Sequence, residues 1–283
     1  MDSFAALPFE LALLIAEYAA WDEVHRNMRW VASTRFVCRQ FNSAIRRICF
    51  DTLIWTRGHE FFLPELEDQP DTPFSLTRRL AVLLDDPGRD VLAPFTSVQD
   101  FTGSPLSVET FQSVHPSLRL QSIFLTLPTR TWHFPTTQPL TRWVFSIPRA
   151  HIICDITYQL FSPDTRILES ANTQWLLVDA FSAQSLAFEV ADIQLFFSRL
   201  TKLLALPLLK RLLLRQRIAN RESRYIFCDA AVSWASVVRD ERIWLDTTDV
   251  GAMDYDHMDS ADALAGHKLW EAGVPLYVKG PDP

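Results

Sequence analysis

The sequence predicts a mixed α/β protein (α+β or α/β), in which a short all-helical N-terminal module precedes an irregular α/β repeat-like domain. Three observations predict this organisation: two helical stripes within residues 4–55, a proline-rich acidic stretch after them, and short apolar runs at near-regular intervals thereafter. The 283 residues, 48% of them apolar, suffice for a small module and a larger core. We place the module at residues 1–58, a connector at 59–74 and the larger domain at 75–283.

The helical module is predicted from apolar spacing. Pro8 suits the first turn of a helix, because its missing N–H would have no partner there. Apolar side chains then share one helical face: Leu7, Leu11, Leu14, Ile15 and Tyr18. A second series steps by three and four residues, as in one amphipathic helix or two short helices in line: Val31, Thr34, Cys38, Phe41, Ile45 and Ile48. Because so short a segment builds a small core, we expect something else to complete one face of it.

These two segments resemble the F-box, the helical module that binds the Skp-type adaptor of cullin-RING ubiquitin ligases. Leu7-Pro8-Phe9-Glu10 through Ile15 matches the entry motif, and Val37-Cys38-Arg39 with Phe41 matches the second motif. Phe41 stands where the family usually has Trp, and the gap between the two halves is longer than usual. The resemblance implies that the adaptor contacts fall on Leu7, Pro8, Leu11, Ile15, Val37, Cys38 and Phe41. The alternative is an ordinary helical hairpin that covers the rest of the chain.

The stretch 64–73 carries three prolines and four acidic residues, which predicts an extended connector. After it, Ser75 is predicted to cap a helix that ends near Leu84.

Strand-like apolar runs follow at residues 118–125, 140–145, 173–178, 208–214, 242–245 and 275–278, with steps of 22, 33, 35, 34 and 33 between their first residues. Helices are predicted between them at 187–204, 229–239 and 259–271. This alternation is typical of stacked α/β repeats or of successive βαβ units. Residues 197–214 resemble an irregular leucine-rich repeat without its usual Asn or Cys, and residues 240–270 resemble the ends of divergent fungal F-box proteins. We interpret the domain as a degenerate solenoid; the alternative is a single α/β domain with a mostly parallel sheet.

Several classes of function lack their motifs. A net charge of −7 argues against general nucleic-acid binding, and the chain has no Walker loop, G-x-S-x-G elbow or H-E-x-x-H pair. The seven histidines are predicted to be surface or half-buried residues, and the four scattered cysteines to be reduced, buried thiols. Residues 246–259 lack the closing Glu of a calcium loop. The basic stretch 210–224 is predicted to be a solvated face rather than a nuclear-import signal or an acidic-substrate contact. The apolar run 203–209 is too short to cross a bilayer.

From the resemblance we expect a non-catalytic substrate-recognition adaptor, with no cofactor or metal. Its expected partners are a Skp-type adaptor within a cullin-RING ligase and an unidentified target protein, rather than nucleic acid or membrane, in the cytoplasm and/or nucleus. The alternative function is an F-box-like scaffold that acts outside ubiquitin ligases.

Overall fold

The computed structural model describes residues 7–56, 72–84, 87–126, 138–156, 168–181, 190–218 and 220–248, together with Asp262, Gly266 and residues 268–279. Its helices are α1 (Phe9–Glu23), α2 (Met28–Thr34), α3 (Arg39–Asp51), α4 (Arg89–Leu92), α5 (Pro105–Val114), α6 (Gln138–Phe145), α7 (Val190–Leu203), α8 (Arg221–Val238) and α9 (Lys268–Glu271). Its strands are β1 (Thr52–Trp55), β2 (Arg79–Val82), β3 (Asp100–Gly103), β4 (Ser122–Leu125), β5 (Arg149–Asp155), β6 (Trp175–Phe181), β7 (Arg211–Arg217), β8 (Ile243–Asp246) and β9 (Val274–Pro275).

The strands form one sheet whose spatial order, β1 to β9, is the order along the chain. Strands β1 to β8 pair in parallel, and β9 pairs antiparallel with β8. A doubly wound sheet reverses its strand order once and binds ligands in the crevice at that point. Because the order here never reverses, the described sheet has no such crevice.

The helices that follow the strands pack against one face of the sheet. Alternate strand residues point to that face and share one core with side chains of α4 to α8, for example Leu80, Phe101, Ile123, Ala150, Leu176, Leu212 and Ile243. Local capping fixes two of these helices. The Ser104 hydroxyl accepts from the amide of Ser107 at the start of α5, and the Asn220 side chain accepts from the amides of Glu222 and Ser223 at the start of α8.

The three N-terminal helices share a separate small core of Ala20, Val24, Val31, Ile45 and Ile48. The second apolar series predicted from the sequence forms two helices, α2 and α3, separated by residues 35–38. Helix α3 continues directly into β1, which pairs with β2 from Thr52 onward. The sheet therefore begins inside the range 1–58 predicted for the module. Most of the predicted connector lies outside the described residues.

Two predicted elements are wrong. The helix predicted from Ser75 to Leu84 is a 3₁₀ turn, Pro73–Leu76, followed by β2. The run Leu80-Ala81-Val82 is buried on both faces because β2 lies between β1 and β3, and such short runs fit either type of element. The strand predicted at 140–145 is helix α6, since Leu140 and Val144 are one helical turn apart and both buried.

Other predicted elements are confirmed where the chain is described. The predicted runs at 118–125, 173–178, 208–214 and 242–245 contain or overlap β4, β6, β7 and β8. The strand predicted at 275–278 is confirmed only at Pro275, the last residue of β9. The helix predicted at 187–204 is α7, and the one predicted at 229–239 is the second half of α8. No helix among the described residues is long and apolar enough to span a bilayer.

Candidate docking surface

The N-terminal helices expose an unusual amount of apolar surface. Of the twenty large apolar side chains exposed in the described part of the chain, eleven lie within residues 7–37: Leu7, Phe9, Leu11, Leu14, Ile15, Tyr18, Trp21, Met28, Trp30, Phe36 and Val37. Scattered exposed apolar residues are ordinary, but a concentration on one small module marks an interaction surface. We call these eleven residues the apolar flank.

The structure brings the two halves of the sequence motif together. Helix α1 packs along α3, and the rings of Phe9 and Phe41 lie 6.0 Å apart, so the start of α1 meets the start of α3. Five of the seven residues implied as adaptor contacts are exposed: Leu7, Pro8, Leu11, Ile15 and Val37. The other two, Cys38 and Phe41, are half-buried beneath them.

The flank stays exposed because α1 is apolar on more sides than its own module can cover. The buried contact residue of α1 is Ala20, whose methyl group allows close approach of α2 and α3 but buries little area. The larger side chains of α1 point elsewhere: Ile15 is 58% exposed and Tyr18 is 72% exposed. Beyond α1, Phe36 and Val37 stand in the turn between α2 and α3, exposed by 88% and 67%. No later segment among the described residues covers these side chains.

The charges around the flank are mixed. Helix α1, which carries most of the flank, has the carboxylates Glu10, Glu17, Asp22 and Glu23. Between Val24 and Phe50 the sequence has six arginines and no carboxylate: Arg26, Arg29, Arg35, Arg39, Arg46 and Arg47. Arginine is suited to interfaces, because its planar group forms bidentate contacts with carboxylates. A partner that fits this surface would place an apolar patch against the flank and acidic side chains opposite these arginines.

A cavity of about 660 Å³ lies where the module meets the start of the sheet. Leu13 and Trp21 of α1, Arg47 and Asp51 of α3, and Leu76 and Arg78 line it together with smaller residues. The wall carries both charges and mixes polar with apolar groups, and Trp21 belongs to the apolar flank. We regard this cavity as an extension of the docking surface.

A second feature lies on the sheet face that the helices leave open. Asp179 of β6, with no exposed surface, accepts hydrogen bonds from three side chains. Arg215 donates Nε to Oδ1 at 2.6 Å and Nη2 to Oδ2 at 2.8 Å, and Arg217 donates Nε to Oδ2 at 2.7 Å. His151 Nε2 lies 2.9 Å from Oδ2. Asp262 closes the network by accepting from both arginines, at 2.9 Å and 2.6 Å from the Nη1 and Nη2 atoms of Arg215.

Electrostatics fix the protonation of this network. Burial opposes ionisation of Asp179, but His151 and the Arg215 guanidinium together hold the pKa of that carboxyl far below its ordinary range. Burial lowers the pKa of His151 below 6.5, and the neighbouring Asp179 offsets this only in part. His151 is therefore neutral at pH 7 and donates Nε2–H to Asp179, an assignment made from the network. Its ring stacks on Phe124 with 3.7 Å between centroids.

His151, Asp179 and Asp262 bring three potential metal-ligand atoms within 4.8 Å of one another. The arrangement does not fit a divalent cation, because two guanidiniums already donate to both carboxylates and would repel a further positive charge. The network links β5, β6 and β7 to Asp262. Burial raises the pKa of the nearby Cys154 thiol to about 12, so that thiol stays protonated and unreactive.

Several sequence predictions are corrected here. The basic stretch 210–224 is not simply a solvated face, since Arg211, Arg215 and Arg217 are buried, whereas Lys210 and Arg221 are exposed. His151 is fully buried rather than surface or half-buried. Of the cysteines, Cys154 is buried, but Cys38, Cys49 and Cys228 are only half-buried. His59, His133, His257, His267 and most of the acidic stretch 246–259 lie outside the described residues.

Sequence reasoning missed the network residues His151, Asp179 and Asp262. One signal was available for Asp179, which directly follows the predicted strand 173–178 and interrupts the apolar run 176–181. A carboxylate in a doubly buried strand requires a buried cationic partner. Its partners lie 28 and 36 residues away in sequence, and Asp262 lies 47 residues from Arg215, so pairing required the strand register.

The chain matches no family model, no curated protein and no solved structure. Its function must therefore be argued from the residues and geometry described above.

Proposed function

We propose that the protein is a non-catalytic substrate-recognition adaptor of a Skp-cullin-F-box type ubiquitin ligase. The observation that carries this proposal is the apolar flank: the helices that resemble an F-box in sequence expose the apolar side chains that such a module would bury against its adaptor. An ordinary helical hairpin that covered the rest of the chain would turn these side chains inward.

The docking contacts of the proposed interface are Leu7, Pro8, Leu11, Ile15, Val37, Cys38 and Phe41. The five exposed residues of this set would contact the adaptor directly. Cys38 and Phe41, which are half-buried, would pack beneath them. Burial of such a patch supplies the main favourable free energy of association, at about 25 cal/mol for each Å² of apolar area removed from water. The arginines between residues 24 and 50 would select an acidic border on the adaptor.

The rest of the chain would hold the target protein. Eight parallel strands in chain order, each paired with the next and backed by helices on one face, support an irregular leucine-rich-repeat-like domain. A receptor of this kind works by proximity, because it raises the local concentration of a target lysine near the ligase and performs no bond chemistry. The proposal places the protein in the cytoplasm and/or nucleus, with no cofactor.

Association with a purified Skp-type adaptor tests the proposal. We expect the full chain to form a stoichiometric complex with the adaptor in size-exclusion chromatography. Replacement of Leu7 by Ser together with Pro8 by Ala should abolish that complex, because both residues lie at the exposed start of α1. Val237→Ser is the control, since Val237 is also an exposed apolar residue, by 81% against 37% for Leu7, but lies on α8.

Two outcomes would contradict the proposal. Complex formation by the Leu7→Ser, Pro8→Ala variant would remove these residues from the docking surface. Failure of the natural chain to bind the adaptor would favour the alternative, an F-box-like scaffold that acts outside ubiquitin ligases.

A further inference from the structure

The sheet face opposite the helices is covered over β5 to β8 by the chain's own C-terminal segment. We call Asp262 and residues 268–276 the C-terminal strap. Trp270 of the strap is buried against Leu177 and Leu213, which lie side by side on β6 and β7. Near the end of the strap, β9 pairs with β8, and the amide of Leu276 donates to the carbonyl of Ile243 at 3.0 Å.

We infer that the strap occupies, within the same chain, a peptide-binding site whose ligand from another protein is an acidic segment with a large aromatic anchor. The binding site is argued from the contacts of the strap alone. Its role as the target-binding site of a receptor rests on the proposed function above.

The first component of the site is a pair of oriented guanidiniums. Asp179 holds the Nε atoms of Arg215 and Arg217, at 2.6 Å and 2.7 Å, and thereby turns their Nη groups toward the strap. Two further carboxylates lie on this face of the strands: Asp246 accepts from Thr248, and Asp155 ends β5 in register with Phe181 and Arg217. Both arginines also donate to Asp262, a carboxylate from outside the sheet. Asp262 thus supplies the second anionic partner of this arginine pair in the network.

The second component is an apolar hollow with a polar rim. Trp175 and Trp244 flank the hollow that Trp270 fills. Between these two flanking rings lies the guanidinium of Arg211, 3.7 Å from the centroid of Trp244, and it donates to the carbonyl of Ala272. The site therefore contacts a carboxylate, an aromatic side chain and the backbone of the strap. Addition of β9 to β8 is the strand pairing by which sheets bind extended peptides.

The strap leaves a small part of this site unfilled. A cavity of about 40 Å³, the size of one water molecule, lies among Asp262, Leu269, Trp270 and His151. The Nδ1 atom of His151, buried with its ring, has no hydrogen-bond partner among the described residues. A ligand with a hydrogen-bond donor at that position would bond to His151 Nδ1, whereas the described residues of the strap do not. Because the strap is tethered, it competes at high effective concentration, and the free protein keeps its own site occupied.

The test uses the full chain with the strap opened by Asp262→Ala and Trp270→Ala, and a fluorescent synthetic peptide with the sequence of residues 260–276. We expect the opened variant to bind the peptide at least about tenfold more tightly than the natural chain, measured by anisotropy. The same peptide carrying Asp262→Ala should bind the opened variant at least about thirtyfold more weakly, because the arginine pair then lacks its carboxylate. The full-chain control Asp240→Ala breaks an Asp–Arg pair away from the strap and should behave as the natural chain.

Absence of saturable binding up to about 1 mM peptide by a folded opened variant, or equal affinity for the two peptides, would overturn the inference. If the double variant does not fold, hydrogen exchange of the natural chain decides. Excess peptide should then speed amide exchange at residues 268–276, and unchanged exchange would overturn the inference. Neither assay contains the Skp-type adaptor, so failure here is distinguishable from failure of the proposed function.

Discussion

The N-terminal helical module and the β5–β8 half of the sheet distribute their side chains in opposite ways. The module buries five residues of moderate size and exposes eleven large apolar side chains. The sheet half buries Asp179, Arg215, Arg217 and His151 and covers them with the C-terminal strap. Apolar groups face outward in the first region, and charged groups face inward in the second.

The difference predicts how substitutions in the two regions will act. Buried charges are costly unless every one is paired, and the sheet network is paired by groups of the same chain. Removal of apolar surface from water lowers the free energy, and the described residues leave the apolar flank exposed to water. We therefore expect substitutions in the sheet network to change stability, and substitutions on the flank to change association.

The largest expected effect comes from Asp179→Asn, which keeps the shape of the side chain but removes its charge. The two buried guanidiniums would then share Asp262 as the remaining carboxylate of the network, and the free energy of unfolding should fall by about 3–5 kcal/mol. Urea unfolding followed by circular dichroism measures this. Asp240→Asn is the matched control, because its pair with Arg242 is partly exposed and should contribute at most about 1 kcal/mol. A loss below 1 kcal/mol for Asp179→Asn would contradict the claim that the buried network of the sheet stabilises the fold.

The next effect concerns the small core of the module. Ile45→Ala removes a fully buried side chain and should lower the free energy of unfolding by about 2–4 kcal/mol through lost burial and an unfilled cavity. The same urea titration applies. An unchanged midpoint would show that the three helices do not pack as one unit on the sheet.

The pH dependence of stability should reflect His151. Its pKa in the folded chain lies below the ordinary value of 6.5, so the unfolded chain binds more protons as the pH falls through 6.5. Stability should therefore decrease from pH 7 toward pH 5, by at most about 1.4 kcal/mol for each pH unit. His151→Gln should flatten this dependence. The pKa of His25 is also lowered, but His25 is exposed, so His25→Gln should flatten the pH dependence less than His151→Gln. Equal effects of the two variants would contradict the attribution of the pH dependence to His151.

The smallest effect on stability is expected for Ile15→Ala, the exposed counterpart of Ile45→Ala. Because Ile15 is 58% exposed, the free energy of unfolding should change by no more than about 0.5 kcal/mol. Binding to the Skp-type adaptor, measured by calorimetry, should weaken in this variant. A stability loss as large as that of Ile45→Ala would mean that the flank is packed internally.

The sequence predicted the regions with strong local periodicity. Helix α1 and strands β6 to β8 follow from spacing that is visible in a single chain. The second apolar series was compatible with one helix or with two, and the structure has two. The sequence did not predict β1 to β3 or β5, because four-residue strands such as Asp100–Gly103 carry too few positions for alternation to show. Strand β5 shows no alternation of apolar and polar residues for another reason: Ala150 to Cys154 are buried on both faces of the sheet.

The candidate surface was predicted better than the buried network. Exposure of Ile15 and Val37 follows from local motifs on two adjacent helices, and the structure places the two motifs side by side. The pairing of Asp179 with Arg215 depends on the register of β6 against β7, and the contact with Asp262 depends on where the strap crosses the sheet. Such long-range pairing leaves no periodic trace in the sequence.

Hydrogen exchange of the full chain with and without a Skp-type adaptor tests the central claim most directly. The account predicts slower amide exchange confined to residues 7–41, where the apolar flank lies, and unchanged exchange in β5 to β8. Adaptor binding that protects the sheet and leaves residues 7–41 unchanged, or no protection anywhere, would contradict it.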